Sequence, residues 1–433
     1  MNRAKSPRSR RALALALVVA GAIAFTSLVG STAATANGRF NANVEETIAD
    51  IQEYWTATMP AVYGTTYEPI PADRLHPYSA DNPPPACGGR GTTPYQQVAG
   101  NAFYCPEGDF VAWDEQNLVP KLRAQFGAFA PALVLAHEWG HAIQARAGFD
   151  SSRTVYFEQQ ADCFAGAWTA HVAHGQSSLS MDANDLDTAL AGLLKLRDPS
   201  GIDGSQEGAH GNGFDRVRAF QDGFEGGAQA CASYQNSAPP VTETAYTSQA
   251  DYMNGGNMSL DEVLPAVTKS LGVYWGKDAP KVVAYTNGTA PSCDGHSDGG
   301  VLVDSVTYCP ADNTIAYDSA TMLQAHNDMG DFASGVLLAT AWSSSVQHAE
   351  GRAIGTPGAR EQAECLAGAY TASLDGSTRN SRADSITLSP NDLDEVVSML
   401  VAADGHGGGR GTAFSRVSSF RTGYFSGSDA CTR

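Results

Sequence analysis

Ala132-Leu133-Val134-Leu135-Ala136-His137-Glu138-Trp139-Gly140-His141 is the stretch on which the reading of this chain turns. Its first five residues are wholly apolar, and the helical pattern runs from Ala128 to Ala147, with Gly148 as a stop signal. In a helix, residues four apart stand on one face, so the imidazoles of His137 and His141 can grip one ion. Glu138 lies about 100° round, close enough to act on a water at that ion without being a ligand. An amphipathic helix with its charges in water would be the bland account. The apolar run disfavours it, because buried polar groups need a partner.

Zinc needs a third protein ligand. A metzincin extension would require Gly at 144 and His at 147, where this chain has Gln144 and Ala147. The other solution is a Glu on a following helix. Tyr156 to Gly175 reads as such a helix and contains Glu158-Gln159-Gln160-Ala161-Asp162. Glu158 is therefore expected as the third ligand. Asp162, four residues on, would accept the N–H of a ligating His and fix its tautomer. His171 and His174 rotate away from that face and are expected at the surface.

Outward from this helix pair the chain repeats itself. Tyr104-Cys105-Pro106, with Ala112-Trp113-Asp114, recurs as Tyr308-Cys309-Pro310 with Ala316-Tyr317-Asp318. Ala161-Asp162-Cys163, with Ala165-Gly166-Ala167-Trp168, recurs as Ala363-Glu364-Cys365 with Ala367-Gly368-Ala369-Tyr370. Phe214, Arg216-Val217, Phe220 and Gly223 recur as Phe414, Arg416-Val417, Phe420 and Gly423, and Tyr54-Trp55 has an echo in Tyr274-Trp275. Two copies of one domain are expected, at 37–236 and 249–433, with a Pro-, Ser- and Thr-containing linker at 237–248. At the proposed site the copies part. His137, Glu138 and His141 become Thr340, Ala341 and Ser344, Glu158 becomes Arg360, and His210 becomes Arg410. Loss confined to these positions nominates His210 as a group that could stabilise an oxyanion, against the alternative of a loop histidine beside Gly211-Asn212-Gly213. Arg216, kept as Arg416, is expected in a structural ion pair.

The eight cysteines divide four to a copy. An even count in an exported chain reads as disulfides. Cys87 and Cys105 flank a Gly-rich loop and are paired on that ground, leaving Cys163 with Cys231; the repeat then gives Cys293–Cys309 and Cys365–Cys431. Export is expected from residues 1–36: Arg3, Lys5, Arg8, Arg10 and Arg11 precede the apolar run Ala12–Leu28, and Ala34-Thr35-Ala36 fits a cleavage site. The alternative is an uncleaved anchor helix.

The chain has 433 residues, 27 Lys+Arg and 46 Asp+Glu, and a net charge of -19, which argues against nucleic-acid binding and adhesion to anionic lipid.

The Cys-Gly at 87, Phe103-Tyr104-Cys105-Pro106, His137-Glu138-x-x-His141, Glu158-x-x-Ala161-Asp162-Cys163 and His210-Gly211 before Arg216 together resemble the putative neutral zinc metallopeptidase family. The likeness spans roughly Val44 to Ala232. It implies a zincin-like α+β domain, mainly α, with a small β-hairpin or sheet, here tandemly duplicated. The expected function is a secreted hydrolase with one Zn²⁺ per chain, acting on a peptide or protein, with Glu138 as general base. The second copy would bind no zinc and would dock on the first or bind peptide. The rival is a non-catalytic surface protein whose first copy keeps a structural zinc. Hydrolysis of a non-peptide cell-wall bond would use the same chemistry.

Overall fold

The computed structural model describes residues 40–432, except 152, 203, 207, 277, 287–292, 294–300, 304–305, 377–385 and 403–411. The export signal expected at 1–36 and Arg410 lie outside the described residues. No helix among the described residues is long and apolar enough to cross a membrane. The fold is mainly helical with two small sheets, α+β as expected.

In chain order the elements are α1 (Val44–Tyr63), β1 (Leu75–Tyr78), α2 (Tyr95–Val98), β2 (Ala102–Cys105), β3 (Phe110–Asp114), α3 (Leu118–Phe126), α4 (Phe129–Ala147), α5 (Thr154–Ala173), α6 (Ala183–Lys195) and α7 (Gly213–Ala232). There follow α8 (Gln249–Met253), α9 (Leu260–Trp275), β4 (Lys281–Tyr285), β5 (Val301–Val303), β6 (Val306–Cys309), β7 (Thr314–Asp318), α10 (Ser319–Met329), α11 (Asp331–Ala349), α12 (Pro357–Ala372), α13 (Asp392–Ala402) and α14 (Ala413–Ser426). Two compact units form. One is Met1–Asp185 with Ser205–His210 and Asp222–Pro239; the other is Leu186–Gly204 with Gly211–Gln221 and Pro240–Arg433. Residues 237–248, expected as a linker, carry no helix or strand, but within the second unit Thr242 is held on Asp215 by its N–H (2.7 Å) and its hydroxyl (2.9 Å).

In the first unit β2 and β3 form the expected hairpin, with β1 parallel to β3, in the order β1-β3-β2. The buried faces of α4 and α5 pack together over a core of Trp55, Trp139, Trp168, Phe129 and Phe164. Phe129 stacks on Trp168, whose Nε1–H donates to Asp50 (2.8 Å). The helices touch closely at Gly140, where a Cβ would stand 2.7 Å from the Ala161 Cα, so a larger residue would push apart the helices that carry the candidate ligands.

In the second unit the sheet order is β4-β7-β6-β5, with β4 parallel to β7 and β6 antiparallel to it. Helices α12 and α14 lie against each other, and Phe214 packs on Phe420, Tyr424 and Phe425. Arg416 pairs with Glu364 at 2.6 Å, both buried, while Arg216 donates to the Leu196 carbonyl.

Cys87–Cys105, Cys163–Cys231, Cys293–Cys309 and Cys365–Cys431 are bonded, the four expected pairs. The Cys163–Cys231 and Cys365–Cys431 bridges span 68 and 66 residues of chain, long loops whose closure restricts the unfolded state by roughly 4 kcal/mol each in the chain-entropy picture. Peptide mapping without reduction is expected to return these four pairs, and a bridge joining one of the first four cysteines to one of the last four would contradict them.

Candidate metal centre

Helix α4 presents His137 and His141 one turn apart, and α5 brings Glu158 across to them. His137 Nε2 lies 3.2 Å from His141 Nε2 and 3.2 Å from Glu158 Oε2, and His141 Nε2 lies 3.5 Å from Glu158 Oε1. Behind them, His137 Nδ1 is 2.8 Å from Asp162 Oδ1 and His141 Nδ1 is 2.9 Å from Gln144 Oε1. The Gln144 amide is oriented by its own Nε2–H, which donates to the Phe157 carbonyl (2.6 Å). With oxygen acceptors at both Nδ1 atoms, both rings carry their proton there, a tautomer assigned from these partners. With the rings neutral, two imidazole lone pairs and a carboxylate therefore face one another in a buried place, where none can donate to the others. A cation satisfies all three at once. Two nitrogens and one carboxylate form a donor set that suits zinc, and Zn²⁺ is the ion the site fits.

The electrostatics follow the same geometry. Burial opposes a charged His137, but Asp162 and Glu158 outweigh it and lift the ring to about 10, so that without a cation Nε2 also holds a proton towards Glu158, and a metal would take that proton's place and leave the Nδ1–H tautomer. Burial alone would raise Glu158; His210, His141 and His137 hold it well below the usual carboxylate range. Burial pushes the neighbouring Glu138 up, and its Oε2 accepts the backbone N–H of Tyr104 on β2 at 2.9 Å. Thus Glu138 is anchored to the sheet, beside the trio and outside it.

The structure brings together His137, His141 and Glu158, with Asp162 behind and Glu138 beside them. His210 Nε2 comes within 4.0 Å of Glu158 Oε2, near the trio but outside it. His171 is half-buried against Tyr54 and His174 is exposed, both away from the centre. Two participants were not read from the sequence as site residues. One is Gln144, three residues after His141 and so on its face of the helix, a spacing that could have flagged it. The other is the Tyr104 amide, a main-chain group that carries no sequence signal. In the second unit Thr340 and Ser344, at the places of the two histidines, turn their hydroxyls back onto the helix carbonyls of Val336 and Thr340, and Ala341 is buried.

Residues 23–234 match the model of the putative neutral zinc metallopeptidase family. Over residues 23–234 the chain is similar to this family. Among curated proteins, it is similar to the uncharacterized protein YpfJ of Escherichia coli K12, 29% identical over 160 residues, which is 31% of this chain and 54% of that one. It is also similar to the uncharacterized protein Rv2575 of Mycobacterium tuberculosis, 27% identical over 166 residues, 32% of this chain and 56% of that one. The chain thus spans about half the length of the curated relatives it matches. No solved structure matches it significantly.

Proposed function

We propose that the chain is an exported zinc metallopeptidase whose first copy is the catalyst and whose second copy is a degenerate accessory. The observation that carries this is the separation of roles around one point: three ligand atoms converge from His137, His141 and Glu158, and a fourth buried polar group, Glu138, stands beside them held by the Tyr104 amide. Structural zinc sites close with four protein ligands, whereas three protein ligands leave a position for water and substrate. That favours catalysis over the reading as a binding protein with structural zinc.

Zinc bound there would supply Lewis acidity, lowering the pKa of water from 15.7 to about 7 and polarising a carbonyl. The chain's own residues do the rest. Glu138 takes the proton of the attacking water and passes it to the leaving amine, a role helped by the raised proton affinity that burial gives its carboxyl. Asp162 and Gln144 keep the two imidazoles turned so that their Nε2 lone pairs face the site. His210, whose Nε2 lies 4.0 Å from Glu158 Oε2, would donate to the oxyanion that develops on the substrate carbonyl.

Export is supported by the basic-apolar-small order of residues 1–36 and is compatible with the four disulfides. The sequence repeat and the similar strand pairing of the two sheets support the duplication.

The test is zinc content and turnover of the full-length protein. One zinc per chain is expected, with cleavage of a broad peptide library, and His141→Ala should lose both. Two zincs per chain would overturn the degenerate second copy. A zinc-loaded protein that leaves every peptide intact would return the choice to cell-wall bonds or structural zinc.

A further inference from the structure

The second unit holds another buried cluster, made of carboxylates alone. Asp331 opens α11, and Asp392 and Glu395 lie on the first turn of α13. They are 3%, 5% and 1% exposed, and their facing oxygens all lie within 4.8 Å of one another. Each carboxylate is fixed by a backbone N–H: Met258 donates to Asp331 Oδ2 (2.9 Å), Ser389 to Asp392 Oδ2 (2.8 Å) and Phe332 to Glu395 Oε2 (2.8 Å). The Asn391 amide takes up Glu395 Oε1 at 3.0 Å. What remains is Oδ1 of Asp331 and Oδ1 of Asp392, both buried and both without a hydrogen-bond partner among the described residues.

Gly330, at φ +116°, makes the arrangement sterically feasible, since a Cβ there would overlap the Glu395 carboxylate. Among the described residues no Lys or Arg pairs with any of the three. The imidazole of His326 faces Asp331, while Asp251 adds a further carboxylate beside Asp392. Burial pushes all three acids up; repulsion from neighbouring carboxylates adds to it for Asp392 and for Glu395, which is raised to about 8, whereas for Asp331 burial acts against His326 and the hydrogen bonds that the carboxylate receives. Aligning Asn184-Asp185-Leu186-Asp187 with Asn391-Asp392-Leu393-Asp394 puts Asp185, Thr188 and, by way of Gly127 and Gly330, Ala128 at the corresponding places of the first copy. Only one of the three acids is present there, so the trio belongs to the copy that lacks zinc ligands.

We propose that Asp331, Asp392 and Glu395 form a calcium site that stabilises the second unit. The two orphaned oxygens are the atoms a cation would satisfy. Oxygen donors without nitrogen or sulfur select a hard cation, and three carboxylates without octahedral symmetry suit Ca²⁺ better than Mg²⁺. An affinity of about 10⁻⁴ to 10⁻³ M fits an extracellular module. The site is independent of the zinc chemistry, so either assignment can fail without the other.

The test uses full-length, zinc-loaded protein titrated with CaCl₂ or MgCl₂ at matched ionic strength, read by calorimetry and melting temperature, with zinc content checked before and after. Wild type is expected to take up one Ca²⁺ and to melt roughly 5–10 °C higher at calcium a hundredfold above Kd. Asp392→Asn should raise the melting temperature of the calcium-free protein, by relieving repulsion, and weaken calcium binding by tenfold or more. Glu395→Gln, which keeps the acceptor for Phe332 N–H, gives a second route to the same loss if Asp392→Asn does not fold. Absence of any calcium effect in wild type at about 10 mM, ten times the weakest affinity expected of such a module, would overturn the site. So would an equal effect of magnesium, or calcium binding that survives in a folded variant; the trio would then be a set of shared protons.

Discussion

Glu138→Gln is expected to keep its zinc and to lose hydrolysis by about 10²–10⁴-fold or more, the usual cost of removing a general base. The amide is nearly isosteric with the carboxylate and can still accept the Tyr104 N–H, so the contact that seats the side chain at 2.9 Å persists. The ligand atoms belong to His137, His141 and Glu158, and none is touched by the change. What disappears is a group able to bind and release a proton in the low-dielectric setting that raises its proton affinity. His141→Ala provides the contrast, because it removes a ligand and should lose metal and turnover together. Zinc stoichiometry and peptide turnover measured on both variants separate the roles. A fully active Glu138→Gln, or one that loses zinc as His141→Ala does, would contradict them.

The centre was legible to the degree that helix periodicity determines it. Residues four apart on one helix share a face, so the sequence alone pairs His137 with His141, and Glu158 with Asp162. The approach of the two helices could not be placed in that way, since it depends on Gly140 meeting Ala161, a contact between positions 21 apart. In the sequence Gln144 registers only as a departure from the metzincin ligand pattern. Its partnership with His141 depends on the Phe157 carbonyl, which fixes the direction of the amide. Asp331 and Asp392 escaped for a related reason: at helix starts, acids read as ordinary capping residues. Their convergence needs α11 and α13 side by side. Composition marked 237–248 as a linker, but composition cannot reveal that Asp215 would hold Thr242.

Gly223→Ala is expected to destabilise the first unit, although alanine is the better helix former by about 1 kcal/mol. A Cβ on Gly223 would overlap the carbonyl oxygen of Cys163 and stand 2.7 Å from its carbonyl carbon and 3.0 Å from the Ala167 nitrogen. All three are main-chain atoms of α5, which cannot swing aside as a side chain can. Overpacking of this kind costs roughly 1–3 kcal/mol, occasionally more, and here it exceeds the propensity gain. The Cys163–Cys231 bridge ties the same two helices together, so they cannot simply separate to make room. Strain should instead pass along α5 towards Glu158 and Asp162, and zinc should bind more weakly in the variant. Gly272→Ala in α9 is the control: a Cβ there meets nothing within 4 Å, so the same substitution should stabilise by roughly 0.4–1 kcal/mol. Gly423→Ala repeats the clash in the second unit, against the Cys365 carbonyl, and should lower stability while leaving zinc in place. Calorimetric melting of the three variants, with zinc content measured alongside, checks the order. If Gly223→Ala melts with wild type and binds zinc as tightly, the close contact between α5 and α7 does not hold the ligand helix in position.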